Sequence, residues 1–213
     1  MVIDLFNSIQ ILSGVLFMSS LTAFSICKFY NYSFINPEYT VEKIYNRSKT
    51  ITQNLFIITT ETVFLTTNIL YPRLDDRPHS LIHSSVNILL YVFYVELFYY
   101  TYHRWIHKNH LYKYIHADHH LSIDVYPFDT FYINLYDYQF LIVSLALPIF
   151  IVKLNMIEHI LTLYYYLTYS YLSHSKLLSH HHHIHHKKFV CNFCLSIPIF
   201  DILFGTYHVC VII

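Results

Sequence analysis

The chain has 213 residues, of which 55% are hydrophobic, 19% aromatic and only 12% charged. A composition this apolar excludes an ordinary soluble domain and fits a membrane-embedded helical protein; with no Gly/Ser-rich or charge-run linker, it gives one domain. The formal net charge is zero, which argues against a nucleic-acid partner, and the two glycines, Gly14 and Gly205, leave no Gly-rich loop to cradle a nucleotide.

Redox chemistry in such a chain would draw its electrons from another protein. Four cysteines without an extracellular disulfide pattern argue for a reducing compartment. In chain order, residues 9–27 form a first apolar helix, about long enough for a hydrocarbon core of roughly 30 Å. Met1-Val2-Ile3-Asp4 has no basic n-region and Lys28-Phe29-Tyr30 is a poor cleavage site, so the helix reads as a retained anchor. Residues 28–50 are polar and are expected on or near a membrane surface. Residues 51–71 and 81–102 make two further spans joined by the turn-like Pro72-Arg73-Leu74-Asp75-Asp76-Arg77-Pro78, which predicts a hairpin. Residues 138–152 and 159–173 flank Lys153-Leu154-Asn155, and at about 22 Å each they are short of a full span and predict a shallow hairpin.

Both hairpins return the chain to the face on which residues 81–102 end, so residues 103–120 and 174–186 are expected to meet there. Lysines and arginines at 28, 43, 47, 49, 104, 108, 113, 176, 187 and 188 fall on that face, and those at 73, 77 and 153 on the other. By the positive-inside rule the first face is cytosolic, which predicts a multi-pass protein of endoplasmic-reticulum type.

The histidines of that face are spaced as metal ligands. His103 and His107 stand four apart, His116, His119 and His120 stand at i, i+3 and i+4, and His182, His185 and His186 repeat that spacing. On a helix each set points its imidazoles at one place, and the three sets together exceed the needs of one ion, so two ions are expected. His174, His183 and His110 are further candidates. Glu96, Asp118, Asp124, Asp137 and Asp201 are candidate acceptors for ligand N–H groups; Glu96, inside an apolar helix, is costly without a partner.

The run Tyr102-His103-Arg104-Trp105-Ile106-His107 through Tyr112-Lys113-Tyr114-Ile115-His116-Ala117-Asp118-His119-His120, with Glu96 and Tyr99 before it, resembles the fatty acid hydroxylase superfamily of membrane di-iron oxygenases. That superfamily includes sterol desaturases, sterol C4-methyl oxidases and cholesterol 25-hydroxylase. His185-His186-Lys187-Lys188-Phe189-Val190-Cys191-Asn192-Phe193, followed by Asp201-Ile202-Leu203-Phe204-Gly205-Thr206, is similar to the family's terminal motif. The resemblance covers roughly residues 85–207 and divides the chain into anchor segments (1–80) and a catalytic domain (81–213). Two departures stand out. Asn134-Leu135-Tyr136-Asp137 replaces a His-Pro-x-Glu of several relatives and resembles the cholesterol 25-hydroxylase branch, and the stretch between His174-Ser175 and His182 is short.

What the resemblance implies is an all-α integral membrane bundle with a cytosolic, histidine-rich di-metal cap. Its cofactor is two iron ions held by His103, His107, His116, His119, His120, His182, His185 and His186, with Glu96, Asp118, Asn192 and Asp201 behind them. The implied reaction is an O₂-dependent hydroxylation or desaturation of a lipid, a sterol slightly ahead of a fatty acyl chain, with cytochrome b5 or a similar reductase as electron donor. Imidazoles alone do not choose among iron, zinc and copper, and zinc is expected as an in vitro substitute. The competing readings are a membrane metal-binding or transport protein and a catalytically inactive member of the family. Transport would need polar residues repeated through the spans, which carry mainly Glu61 and Glu96. A zinc site on Cys191 and Cys194 would strand the upstream histidines. The tail Cys210-Val211-Ile212-Ile213 has the outline of a prenylation box but a poor final residue, and is discounted.

Overall fold

The computed structural model describes residues 5–121, 123–177 and 180–209; the tail at 210–213 and part of the short stretch before His182 lie outside them. Every regular element among the described residues is helical. Helix α1 (Leu5–Phe29) and α3 (Leu81–Lys108) are long and apolar enough to cross a membrane. Helix α3 starts at Ser80, whose hydroxyl accepts from the His83 amide, and it runs without a proline or glycine to Lys108.

Helix α2 (Val41–Leu65) departs from expectation. It starts ten residues before the predicted span, capped by Thr40, and gathers Glu42, Lys43, Arg47 and Lys49 into its first half. With polar residues such as Gln53, Asn54 and Glu61 further along as well, α2 is not among the helices long and apolar enough to cross a membrane. At its far end the chain loosens into a π turn (Thr66–Leu70) and then tightens into a short 3-10 turn (Tyr71–Arg73) that contains Pro72.

Beyond α3 come α4 (Tyr112–Ile115), α5 (Leu135–Ala146), α6 (Met156–Ser173), α7 (His180–Lys188) and α8 (Ile199–Leu203). Helix α6 opens with a capping box in which the Asn155 side chain accepts from the Glu158 amide and the Glu158 carboxylate accepts from the Asn155 amide. Two loops meet at the end remote from the histidines. The Asp75 amide donates to the Leu154 carbonyl at 2.8 Å, and His79 Nδ1 lies 2.7 Å from Glu158.

Packing joins the first helices to the rest: α1 lies along α6, α2 lies against α5, and α3 contacts α5, α6 and α8. The core between α3 and α6 is Tyr91, Val95, Tyr99 and Tyr166, with Leu141 of α5 packed on it. Phe17, Leu21 and Phe24 of α1 and Leu89 and Leu90 of α3 stay exposed. They give the bundle the apolar exterior that a hydrocarbon surrounding requires.

Candidate metal centre

Four segments bring histidines to one end. Helix α3 presents His103 and His107 on its last turns; the segment after α4 carries His116, His119 and His120; His174 closes α6; and α7 presents His182, His185 and His186. The side chains sort into two sets: His103, His107, His116, His120 and His185 form one, and His119, His174, His182 and His186 the other. In each set the candidate ligand nitrogens lie within 4.8 Å of one another.

The sorting cuts across the sequence motifs. Residues 116–120 are not one α-helix: α4 stops at His116, and a 3-10 turn (His119–Leu121) follows. That change of winding sends His116 and His120 to the first set and His119 to the second. Helix α7 divides its histidines likewise, His185 to the first and His182 and His186 to the second. Each of the last two motifs therefore serves both clusters instead of aiming at one place.

The tautomers decide what the clusters can hold. His103 Nδ1–H donates to the Phe193 carbonyl at 2.8 Å, and His116 Nδ1–H donates to Asp137 at 2.7 Å. A neutral imidazole has one N–H, so each Nε2 then carries a lone pair. Yet His103 Nε2 and His116 Nε2 face each other at 3.1 Å. His185 repeats the arrangement, its Nδ1–H on the Cys191 carbonyl at 2.7 Å and its Nε2 3.2 Å from His120 Nε2. In turn His120 Nε2 meets those of His107 and His116 at 3.2 and 3.1 Å, while its Nδ1 is buried without a hydrogen-bond partner. One proton on His120 cannot satisfy three lone pairs.

The second set has the same character. His174 Nδ1–H donates to the Ser170 carbonyl at 2.8 Å, and its Nε2 faces that of His182 at 3.3 Å. His186 Nε2 lies 3.0 Å from His182 Nε2 and 3.2 Å from His119 Nε2. Burial first and the neighbouring imidazoles second hold His119, His182 and His186 well below the ordinary histidine range; burial likewise lowers His185 to about 3. Converging lone pairs on imidazoles kept neutral are a donor set that fits a cation at each centre.

The remaining predicted residues act at a distance or stand apart. Asp201 accepts from the Phe193 and Cys194 amides and from Thr206, and lies 3.3 Å from His181. Glu96 accepts from the amides of Leu195, Ser196 and Ile197 and from the Ser196 hydroxyl. Asn192, at a φ of 59°, ties the His181 and His208 carbonyls and the His208 amide together. These three residues thus fix the strip 191–197, whose carbonyls orient His103 and His185, and bond no cluster histidine themselves. Asp118 is exposed, and His110 lies beyond the end of α3 at Lys108, so it cannot continue the face of His103 and His107. His183 sits in α7 between the ligating positions and belongs to neither set. Cys191 and Cys194 are buried free thiols outside both sets. The carbonyls of Phe193, Cys191 and Ser170 carry no signal in a sequence, because every residue has one.

Fold and site define a class: a helical membrane protein with two imidazole clusters of metal-binding type at one end of its bundle. Residues 88–206 match the family model described as fatty acid hydroxylase, and the chain belongs to that family. It is also similar to the very-long-chain aldehyde decarbonylase GL1-6 of rice, in both the indica and japonica subspecies. Each is 29% identical over 174 residues, a stretch of 70% of this chain and 27% of the relative. The chain thus spans about a quarter of the length of these curated relatives. No solved structure matches it.

Proposed function

We propose that the protein is an O₂-dependent oxidoreductase that modifies an aliphatic C–H bond of a membrane lipid by hydroxylation or desaturation. The observation that carries this reading is the pair of opposed Nε2 lone pairs of His103 and His116, whose Nδ1 protons are both committed elsewhere. Two iron ions are the proposed cofactor, one among His103, His107, His116, His120 and His185 and one among His119, His174, His182 and His186. Iron bound there supplies activation of O₂ and removal of hydrogen from an unactivated C–H bond. The protein's own part is to hold neutral imidazoles in fixed tautomers, to keep bulk water from the buried ligands, and to present the lipid.

A small cavity of about 40 Å³ touches both clusters. His116, His119, His174 and His182 form one wall, and Tyr99, Phe131, Ile133 and Leu141 form an apolar wall opposite. Its mixed lining, apolar side chains beside the imidazoles, suits a short hydrocarbon segment delivered to the metals. The relatives' name concerns a very-long-chain aldehyde, which favours a linear chain over the sterol preferred on sequence grounds. Electrons are proposed to come from cytochrome b5 or a similar reductase.

Elemental analysis of the detergent-purified chain tests the reading. About two irons per chain are expected from the two clusters, with His107→Ala and His119→Ala each losing metal and His208→Ala keeping it. One zinc, or metal unchanged by both cluster substitutions, would overturn the di-iron reading and favour the metal-binding or inactive alternative.

A further inference from the structure

A second cavity, of about 70 Å³, lies deeper in the bundle between α1, the end of α2, α5 and α6. Its walls include Ser8, Leu12, Thr66, Tyr71, Ala146 and Thr162. Much of this wall comes from residues before 88, outside the family-matched stretch. The lining is apolar in character even where its residues are not. Thr66 and Thr162 donate their hydroxyls to the carbonyls of Thr62 and Glu158, one turn back, so a polar ligand would find little to bond.

Three helix stripes run from this cavity to the histidines. On α6, His159, Thr162 and Tyr166 line the deep cavity, and Ser170, Ser173 and His174 line the one at the clusters. That stripe extends about 22 Å at helical rise. On α5, Asp137 and Leu141 line the upper cavity and Leu145 the lower. On α3, buried Tyr91, Val95, Tyr99 and His103 follow one another at four-residue intervals. Between the two cavities Val95, Leu141 and Tyr166 pack against one another. A chain one methylene wide asks those side chains for rotamer shifts; a fused-ring sterol would require the helices to move.

An entrance adjoins the deep cavity. A groove on the outer surface between α2 and α5 is lined by exposed Leu65, Ile69, Val143 and Phe150, and it shares Thr66, Leu70, Ile142 and Ala146 with the cavity behind it. The α2 wall there is the π turn, a winding that often marks functional positions.

We propose that the deep cavity receives the hydrocarbon tail of a linear long-chain lipid whose reacting segment lies at the histidine clusters, so that residues 5–71 set the chain length accepted. The proposal rests on the lipid-oxidoreductase reading but is tested apart from it. The probe is octadecanoic acid with a diazirine at its methyl end, photolysed with the detergent-purified chain, beside a dodecanoic analogue and a cholesterol diazirine; iron is measured on the same samples.

The octadecanoic probe is expected to label peptides covering 62–71 and 159–166. Ala146→Phe and Thr162→Phe, which fill the cavity from two walls, are expected to lower that label about tenfold. The dodecanoic probe should still label the upper wall, and unchanged iron content shows that both variants fold. Label confined to lipid-facing positions such as Phe17 and Leu89, label indifferent to both substitutions, or competition by the cholesterol probe for the same peptides would overturn the proposal. Tail labelling without iron would uphold the cavity and sink the oxygenase; iron without tail labelling would do the reverse.

Discussion

At the scale of single residues, Asp137 has the most direct hold on a cluster. Its Oδ2 accepts from His116 Nδ1–H at 2.7 Å and its Oδ1 accepts from the Tyr102 hydroxyl at 2.6 Å. Asp137→Asn keeps the shape but turns one acceptor into a donor, so either His116 or Tyr102 loses its partner. Iron affinity is expected to fall about 10–100-fold, with the melting temperature nearly unchanged; competition against a coloured chelator measures it. An affinity equal to wild type would mean that the His116 tautomer does not matter. Asp137 was legible in the sequence because an acid beside histidine motifs is a recognisable type, and it stands where the motif departs from its relatives. The partners of His103, His174 and His185 were not legible, being main-chain carbonyls whose position only the fold determines.

At the scale of elements, the strip 191–197 holds no regular structure of its own and is fixed from both sides. Glu96 of α3 accepts three of its amides, Asp201 of α8 accepts two, and the chain turns through positive φ at Phe189 before it and at Asn192 within it. Glu96→Gln places an amide donor among donors and leaves at least one buried N–H without an acceptor, at a cost of about 1–3 kcal/mol. A lowered Tm is expected, together with iron lost first from the five-histidine cluster, because His103 and His185 both lean on this strip. Equal loss from both clusters, read by the iron content of Glu96→Gln combined with His119→Ala, would show general unfolding instead. The helical spacing of His103 and His107 was legible because α3 continues through both. The division of the later motifs was not, since it depends on α4 stopping at His116, a break no proline or glycine announces.

At the scale of the whole molecule, the two ends of the bundle differ in kind. One end gathers the histidine clusters and the exposed Lys187 and Lys188; the other pairs the loop at Asp75 with that at Leu154 through a backbone hydrogen bond and brings Arg77 to Asp75 and His79 to Glu158. Lysine and arginine are concentrated at the histidine end, and translocating that end would carry the charges and the whole cap across the bilayer. The orientation is therefore expected to put the histidine end in the cytosol, where an electron donor can reach it. In a Cys210→Ser background, reporter cysteines test this at exposed sites, Lys187→Cys at one end and Asp76→Cys at the other, since Cys27, Cys191 and Cys194 are buried. In sealed microsomes with the cytosolic face outward, an impermeant maleimide is expected to label Lys187→Cys directly and Asp76→Cys only after permeabilisation. The inverse pattern would place the clusters away from cytosolic reductases and remove the proposed electron route. Labelling of both sites before permeabilisation would mean that the bundle rests on one face of the membrane, so that α1 and α3 do not cross it and lipid reaches the clusters from a single leaflet.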